Sequence, residues 1–446
     1  MKSINHIPQT KIQRASKLLK VGAQVGTNYV KYLGNRVVST EETARKKLNQ
    51  DNASDIYDGL SELKGSVLKM AQMMSMDDGI LPKEYVEKFS LAQFSVPPLS
   101  GPLARKTFKS AIKSYPEDVF TRFQRESSYA ASVGQVHEAW INEKKYAVKI
   151  QYPGVAESIV SDLRLVKPIA LRILKLKKDD IEDYFKEVQN KLLEETNYIL
   201  EQQSLIEARQ LSKPLKNIII PKVNKEISSR TLLTMEWMDG LHLSEYADQE
   251  LNQEKRNQIV QSLWDFFQYH IHVHQKVHAD PHPGNFKVTE NNQLVVLDFG
   301  CMKEIPFDFH QSFFKLADIE NTENETTFLS LLKELELIND SDTEADIKTI
   351  KSTFHNVLSI INKPYQFEKF DFSDPEYFKQ LLIIGNELKN NKALQELQGK
   401  RGSPHFVYVN RTLIGLLGLM NSLQAGEIEV QNYKKYIPAD LKTTET

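Results

Sequence analysis

The sequence predicts an α+β fold of two lobes, the smaller built on antiparallel strands and the larger mostly helical. Three observations predict it. Two alternating runs flank Asn142-Glu143, a hairpin-turn signal, within residues 129–150. Ile259, Leu263, Phe266, Phe267 and Ile271 recur at helical spacing on one face of a long helix from about 253 to 275. A short apolar strand, Leu294-Val295-Val296-Leu297, runs into Asp298-Phe299-Gly300. With 446 residues, 40% hydrophobic and 26% charged, the chain has the composition of a globular protein with room for two lobes and an extension. Residues 1–100 are assigned to a helical N-terminal extension, 101–236 to the small lobe and 237–446 to the large lobe.

The extension opens with seven Lys and Arg and no acid before residue 41. Ile12, Ala15, Leu18, Leu19, Gly22, Val25 and Tyr29 fall at helical spacing, which predicts a basic amphipathic helix. Such a helix either lies on an anionic bilayer or docks on the body of the protein. Docking is preferred, because Gly22 and Gly26 weaken an independent helix. Residues 41–92 continue as helix, and Ser95 to Gly101 read as a linker. Met70, Met73, Met74 and Met76 are read as core filler. In the small lobe an inserted helix is expected over 158–178 and a helical stretch over 180–209. Thr231 to Met235 form a strand leading to a hinge at Glu236-Trp237-Met238, whose backbone would meet an adenine, and Asp239-Gly240 turn the chain out. Past Gly300 the chain returns to helix through Pro306.

The chemistry is concentrated in two strings. His278 to Asn285 reads HADPHPGN, and thirteen positions later stands the Asp of Leu297-Asp298-Phe299-Gly300. An Asp followed by an Asn five residues on, then an Asp-Phe-Gly at a strand end, is the catalytic half of a kinase-type phosphoryl-transfer site. Asp280 would accept the proton or hydrogen bond of an attacking hydroxyl or water. Asn285 and Asp298 supply the oxygen donors that Mg²⁺ prefers. Upstream, Ala147-Val148-Lys149 has the pattern of the strand whose lysine grips the nucleotide phosphates. The phosphate loop before it, Ala130, Ala131, Ser132, Val133, Gly134 and Gln135, holds alanines and one glycine, so its backbone is restricted where a glycine loop is free. An acid must pair with Lys149, and Glu194, Glu195, Glu201 and Glu207 are all eligible from composition.

These strings resemble the UbiB/AarF family of atypical protein-kinase-like proteins. Ser132-Val133-Gly134-Gln135-Val136-His137, Val148-Lys149-Ile150-Gln151-Tyr152-Pro153-Gly154, the full HADPHPGN and LDFG, and Lys69-Met70-Ala71-Gln72 each match a family motif. The matches cover roughly residues 61–302, with an echo at Arg411-Thr412-Leu413. The resemblance implies a bilobal protein-kinase-like fold with a helical insertion in the small lobe. It implies ATP or ADP with Mg²⁺ as cofactors, nucleotide contacts from the loop, Lys149, Glu236 and Met238, and Glu201 as the partner of Lys149. It also implies that Lys69 and Gln72 cover the cleft and that Lys69 meets Glu195 and Asn197 of the E-x-D segment. Ala71 replaces the family glycine and Asn197 the family aspartate.

A net charge of −2 disfavours a nucleic-acid binder. The single cysteine, Cys301, forms no internal disulfide and is read as a packing residue. No signal peptide or run of about 20 apolar residues is seen, so a cytoplasmic protein, peripheral at a membrane through its basic first helix, is expected. His270 and His274 lie i,i+4, but a zinc reading lacks further ligands. Three functions remain. The first is a kinase or ATPase acting on a lipid-like or small hydrophobic acceptor, or on water, in prenyl-quinone or other lipid metabolism. The second is a nucleotide-sensing scaffold. The third, a protein kinase, is disfavoured because no APE-type peptide-docking segment follows Gly300.

Overall fold

The computed structural model describes residues 11–38, 40–63, 65, 67–71, 82–89, 98–131, 133–174, 178–391, 393–394, 397 and 401–436. Gln72, Ser132, Met73, Met74 and Met76 lie outside them. The chain divides into two compact units. One comprises 1–203 with 222–237, the other 204–221 with 238–446. The last crossing falls between Trp237 and Met238, inside the expected hinge.

In the first unit a five-stranded antiparallel sheet follows the order Arg122–Phe123, Gly134–Ile141, Lys144–Gln151, Leu232–Glu236, with Tyr129–Ala130 paired to Gly134–Ile141. The two long strands turn at Asn142 (φ 54°), a conformation that Asn tolerates better than most side chains. Val148 and Ile150 point into a small core with Phe108, Phe120 and Leu232. The register is thereby fixed, because a one-residue slip would bury Lys149 instead.

In the same unit the extension and the insertion build one helical core. Lys11–Val38, Glu41–Leu63 and Lys83–Phe89 come from the extension, and Val155–Leu174 and Lys178–Glu195 from the insertion. Val21, Leu60, Leu63, Leu68 and Met70 share a cluster with Ile159, Leu163, Val188 and Leu192. Gly65, at φ +67°, packs so closely on Val155 that a Cβ there would stand 2.8 Å from its Cγ2. The first helix docks, with a face that keeps the expected Val25 but turns Leu19 and Tyr29 outward. Arg14, Val21, Val25 and Asn28 are buried, while Leu19 is 75% exposed and Tyr29 is also exposed. An ion pair lies on the buried face. Arg14 donates from Nε and Nη2 to the two carboxylate oxygens of Asp162 at 2.7 and 2.6 Å, and from Nη1 to the Leu63 carbonyl at 3.0 Å.

The stretch expected as helix over 180–209 is two helices, Lys178–Glu195 and Tyr198–Leu211. Thr196 and Asn197 break it, and the strand of Lys149 holds the break: Gln151 Nε2 donates to the Thr196 carbonyl at 2.8 Å. Asn197 Oδ1 accepts the Ile199 N–H at 3.3 Å and starts the second helix. Asn caps a helix as well as Asp, so this departure from the family pattern preserves the local structure.

In the second unit the Gln253–His274 helix is buried along most of its length. A four-stranded sheet runs Ile218–Ile219, Leu294–Val296, Phe286–Val288, Leu241–His242, its first pair parallel. A two-stranded ribbon, Lys276–His278 with Met302–Glu304, brackets the loop between them. The remainder is mostly helical, with one further antiparallel pair, Lys369–Asp371 with Glu427–Glu429; its Pro404–Ser422 helix buries Leu416, Leu417 and Met420. Among the described residues no helix is long and apolar enough to cross a membrane.

Candidate active site

In the first unit Lys149 projects from the Lys144–Gln151 strand to Glu201 in the first turn of Tyr198–Leu211. Its Nζ donates to the two carboxylate oxygens at 2.6 and 2.8 Å. Glu201 is therefore the eligible acid that reaches Lys149. The break at 196–197 places it there, since it starts a second helix at Tyr198 with Glu201 in its first turn. The side chains retain 19% and 7% of their exposure, enough shelter for the pair to hold its geometry and enough access for a ligand. Tyr198, fully buried, sets its ring 5.0 Å from Lys149 Nζ. A Cβ at Gly134 would come within 2.6 Å of the Tyr198 hydroxyl and 2.7 Å of the Ile150 carbonyl. The single glycine of the loop is thus required by Tyr198 and the neighbouring strand.

The loop itself is a tight connection. Ala131 N–H donates to the Gly134 carbonyl at 2.8 Å, and the Val133 carbonyl accepts from Tyr152 N–H at 3.0 Å. Gln135, expected among the nucleotide contacts, is 1% exposed and committed elsewhere. Its Oε1 accepts the Leu99 N–H at 2.7 Å and its Nε2 meets His137 Nε2 at 2.7 Å. Burial lowers the pKa of His137, so its neutral ring accepts from Gln135 and gives Nδ1–H to the Gln124 carbonyl. Gln135 therefore fastens the linker to the sheet. At the hinge, Glu236 accepts from Lys144 Nζ at 2.7 Å and from Lys222 N–H at 3.0 Å, and its own N–H donates to the Lys222 carbonyl.

Lys69 stands in the helical turns 67–71 that Gly65 starts, and its Nζ lies 3.1 Å from Glu195 Oε2. The extension and the end of the insertion are thus joined at the residue pair that the family pattern suggests. Asn197 spends its oxygen on the helix start instead.

In the second unit the loop after Lys276–His278 carries the other half of the chemistry. Asn285 Nδ2 donates to the Asp280 carbonyl at 2.9 Å and to Asp280 Oδ2 at 3.1 Å, which commits the amide nitrogen and orients the carboxylate. The function left to the Asn285 amide is its carbonyl oxygen, a hard donor suited to Mg²⁺. Asp298 Oδ1 accepts the Gly300 N–H at 2.8 Å. His278, 2% exposed, bonds through Nε2 to the Asp298 carbonyl at 2.7 Å, and the Asn285 carbonyl accepts from Leu297 N–H at 2.9 Å. Phe299 is fully buried against Phe266 and His278. Asp280, Asn285 and Asp298 are thereby presented, partly exposed, by one hydrogen-bonded frame. Met238, at the start of this unit, accepts from Lys287 Nζ at 3.3 Å through its carbonyl.

Among the described residues no three His, Cys, Asp or Glu side chains converge as a metal cage. His270 is buried, bonded to Ser212 Oγ at 2.8 Å, and burial pushes its pKa down to about 3, so it is a neutral core residue. Sequence reasoning missed Tyr198, the residue after Asn197 of the E-x-D segment, because a ring over a lysine leaves no mark in spacing.

The family model for the ABC1 atypical kinase-like domain matches residues 91–326. An uncharacterized chloroplastic aarF domain-containing protein kinase of Arabidopsis thaliana is 30% identical over 67% of this chain and 42% of its own length. The mitochondrial atypical kinase COQ8B of Danio rerio is 28% identical over 73% of this chain and 52% of its own. The chain thus spans about half the length of these curated relatives. A solved structure, the Rv3197–erythromycin complex from Mycobacterium tuberculosis, matches with TM-score 0.61 and 20% identity, covering 89% of this chain and 98% of that one. This likeness shows a shared α+β kinase-like fold.

Proposed function

The chain belongs to the ABC1 atypical kinase-like family, also described as UbiB/AarF, and from that premise we propose that it binds Mg·ATP and transfers the terminal phosphoryl group to a small or lipid-like acceptor or to water. The observation that carries this reading is the Lys149–Glu201 pair at 2.6 Å. A lysine held by an acid at a strand centre is the arrangement that grips nucleotide phosphates. The carbonyl oxygen of Asn285 and the carboxylate of Asp298 fit Mg²⁺, a hard cation satisfied by oxygen. When bound, the ion would neutralise phosphate charge as the transferring group develops it. Asp280, oriented by Asn285, would take the hydrogen bond and proton of the acceptor hydroxyl. Lys149 would hold the phosphates, and Glu201 keeps the ammonium extended toward them.

Between Gly300 and the Phe307–Lys315 helix stand only six residues, half of them in the ribbon strand Met302–Glu304, which leaves no peptide-docking segment. This supports a non-protein acceptor, and we place it in prenyl-quinone or other lipid metabolism. The outer face of the first helix supports a membrane partner. Leu19 and Val30 are 75% and 70% exposed, with Lys20 and Lys31 exposed alongside, the mixture that binds anionic lipid.

The test is phosphate release from Mg·ATP by the full chain, with and without anionic vesicles carrying a phenolic prenyl lipid. The controls are Asp298→Asn and Leu19→Asp/Val30→Asp. Release that rises with vesicles, vanishes in Asp298→Asn and loses its vesicle response in the helix variant supports the whole reading. Nucleotide binding without release moves the conclusion to a nucleotide-sensing scaffold. Mg²⁺-dependent nucleotide affinity unchanged in Asp298→Asn refutes the site.

A further inference from the structure

The Arg411-Thr412-Leu413 string lies outside the phosphoryl-transfer set, and the structure gives it a place. It sits in the Pro404–Ser422 helix of the second unit, and that helix touches the catalytic loop at two points. Thr412, fully buried, donates from Oγ1 to the backbone carbonyl of His278 at 3.2 Å, two residues before Asp280. The same hydroxyl lies 2.9 Å from the Tyr408 carbonyl of its own helix, so it is shared between the helix and the loop. One turn later Gly415 meets Pro281, the residue after Asp280. A Cβ built on Gly415 would overlap Pro281 Cγ and stand 3.2 Å from its Cβ. Pro281 is a ring fixed to the backbone, so it yields only if the loop moves. Leu413, between the two contacts, is anchored in the core with Ile271 and Val277.

We propose that Thr412 and Gly415 are positioning residues for Asp280: the helix braces the catalytic loop from both sides of the base, by a hydrogen bond before it and a close backbone approach after it. Asn285 orients the Asp280 carboxylate from within the loop, whereas Thr412 and Gly415 fix where the loop stands. The helix therefore supplies to the base what a rigid support supplies to any reacting group, and misplacement by about 1 Å is enough to cost up to about a hundredfold in rate. The role assigned to Asp280 rests on the phosphoryl-transfer reading; the bracing of the loop is a separate, structural statement.

A matched pair of glycines on the same helix tests it. Gly418 has open space where a Cβ would go, so Gly418→Ala changes helix propensity without touching the loop. In the full chain, Gly415→Ala is expected to lower kcat for phosphate release about tenfold or more with the nucleotide KM unchanged, while Gly418→Ala retains wild-type kcat. Thr412→Val is expected to follow Gly415→Ala, and Thr412→Ser, which keeps the hydroxyl, to restore turnover. Amide hydrogen exchange over 278–285 is expected to quicken in Gly415→Ala and Thr412→Val and in neither of the others. Equal exchange in Gly415→Ala and Gly418→Ala, or equal turnover in both, overturns the inference. Should wild type release no phosphate, the functional reading has failed, and the exchange comparison alone decides the bracing. Should Gly415→Ala fail to fold, the Thr412→Val and Thr412→Ser pair decides it.

Discussion

Replacing Arg14 with alanine isolates one term of the first unit's stability. The guanidinium donates to both carboxylate oxygens of Asp162 and to the Leu63 carbonyl. Both side chains are almost wholly buried, at 3% and 1% exposure. Removing Arg14 takes away the guanidinium that both Asp162 oxygens bind while the carboxylate stays buried, and breaking one side of a buried ion pair costs roughly 3–5 kcal/mol. The assay is native-state amide exchange in the Val155–Leu174 helix, which reads this region without assuming that the whole chain unfolds in one step. Arg14→Met/Asp162→Leu, which removes both charges at similar volume, should recover most of the loss. A deficit below about 1 kcal/mol would refute the reasoning.

Other consequences are more local. Lys69→Ala should change nucleotide turnover, because Lys69 and Glu195 join the extension to the segment that also carries Glu201; kinetics identical to wild type would remove any gating role for that turn. Gly134→Ala should weaken nucleotide affinity and cost about 1–3 kcal/mol, since its Cβ meets the backbone of Ile150 as well as the Tyr198 hydroxyl; isothermal titration and a melting curve read both. The second unit should be acid-labile. Burial holds His270 near pKa 3 and His310 near 4, and pushes His272, bonded to His310 at 3.2 Å, well below its usual value. Depressed values mean that the unfolded chain takes up protons the folded one refuses. The stability is complete above about pH 6.5 and drains, at about 1.4 kcal/mol per unit for each ring, as pH falls toward 4. A denaturation midpoint flat between pH 7.5 and pH 5 would show that these rings are not held neutral.

The strings of the candidate site were legible because their chemistry fixes residue type and spacing within one loop or strand. Asp280 and Asn285 are bonded to each other five residues apart, and Gly300 to Asp298 two apart. Such contacts are local, so the sequence carries them in full. Lys149 and Glu201 are 52 residues apart, and composition left four acids eligible. What chooses Glu201 is the break at Thr196 and Asn197, and the break depends on Gln151 from the neighbouring strand. Periodicity alone reads through it as one helix. The Gln135 amide shows the same limit in reverse. It stands in the loop motif, yet its side chain leaves the loop for Leu99 and His137, because the alternation of the strand turns it to the buried face.

The least legible feature is the partnership of the extension with the insertion. A helical stripe tells which face wants cover but names no partner. The first helix illustrates the cost of that ignorance. Its apolar residues suggested a face through Leu19 and Tyr29, and the folded chain buries Arg14, Val21, Val25 and Asn28. A buried arginine is inadmissible until its carboxylate is known, and Asp162 lies 148 residues away. Once the pair is allowed, Arg14 can stand on the buried face, Leu63 supplies a further acceptor, and the turn of Gly65 fits onto Val155 at the head of the Asp162 helix. Lys69 then stands one turn from that contact, within reach of Glu195. The Lys69–Glu195 pair is therefore the downstream result of packing that begins at Arg14. Weakening Arg14–Asp162 should accordingly alter the same kinetics as Lys69→Ala, and should do so without any change at Lys149.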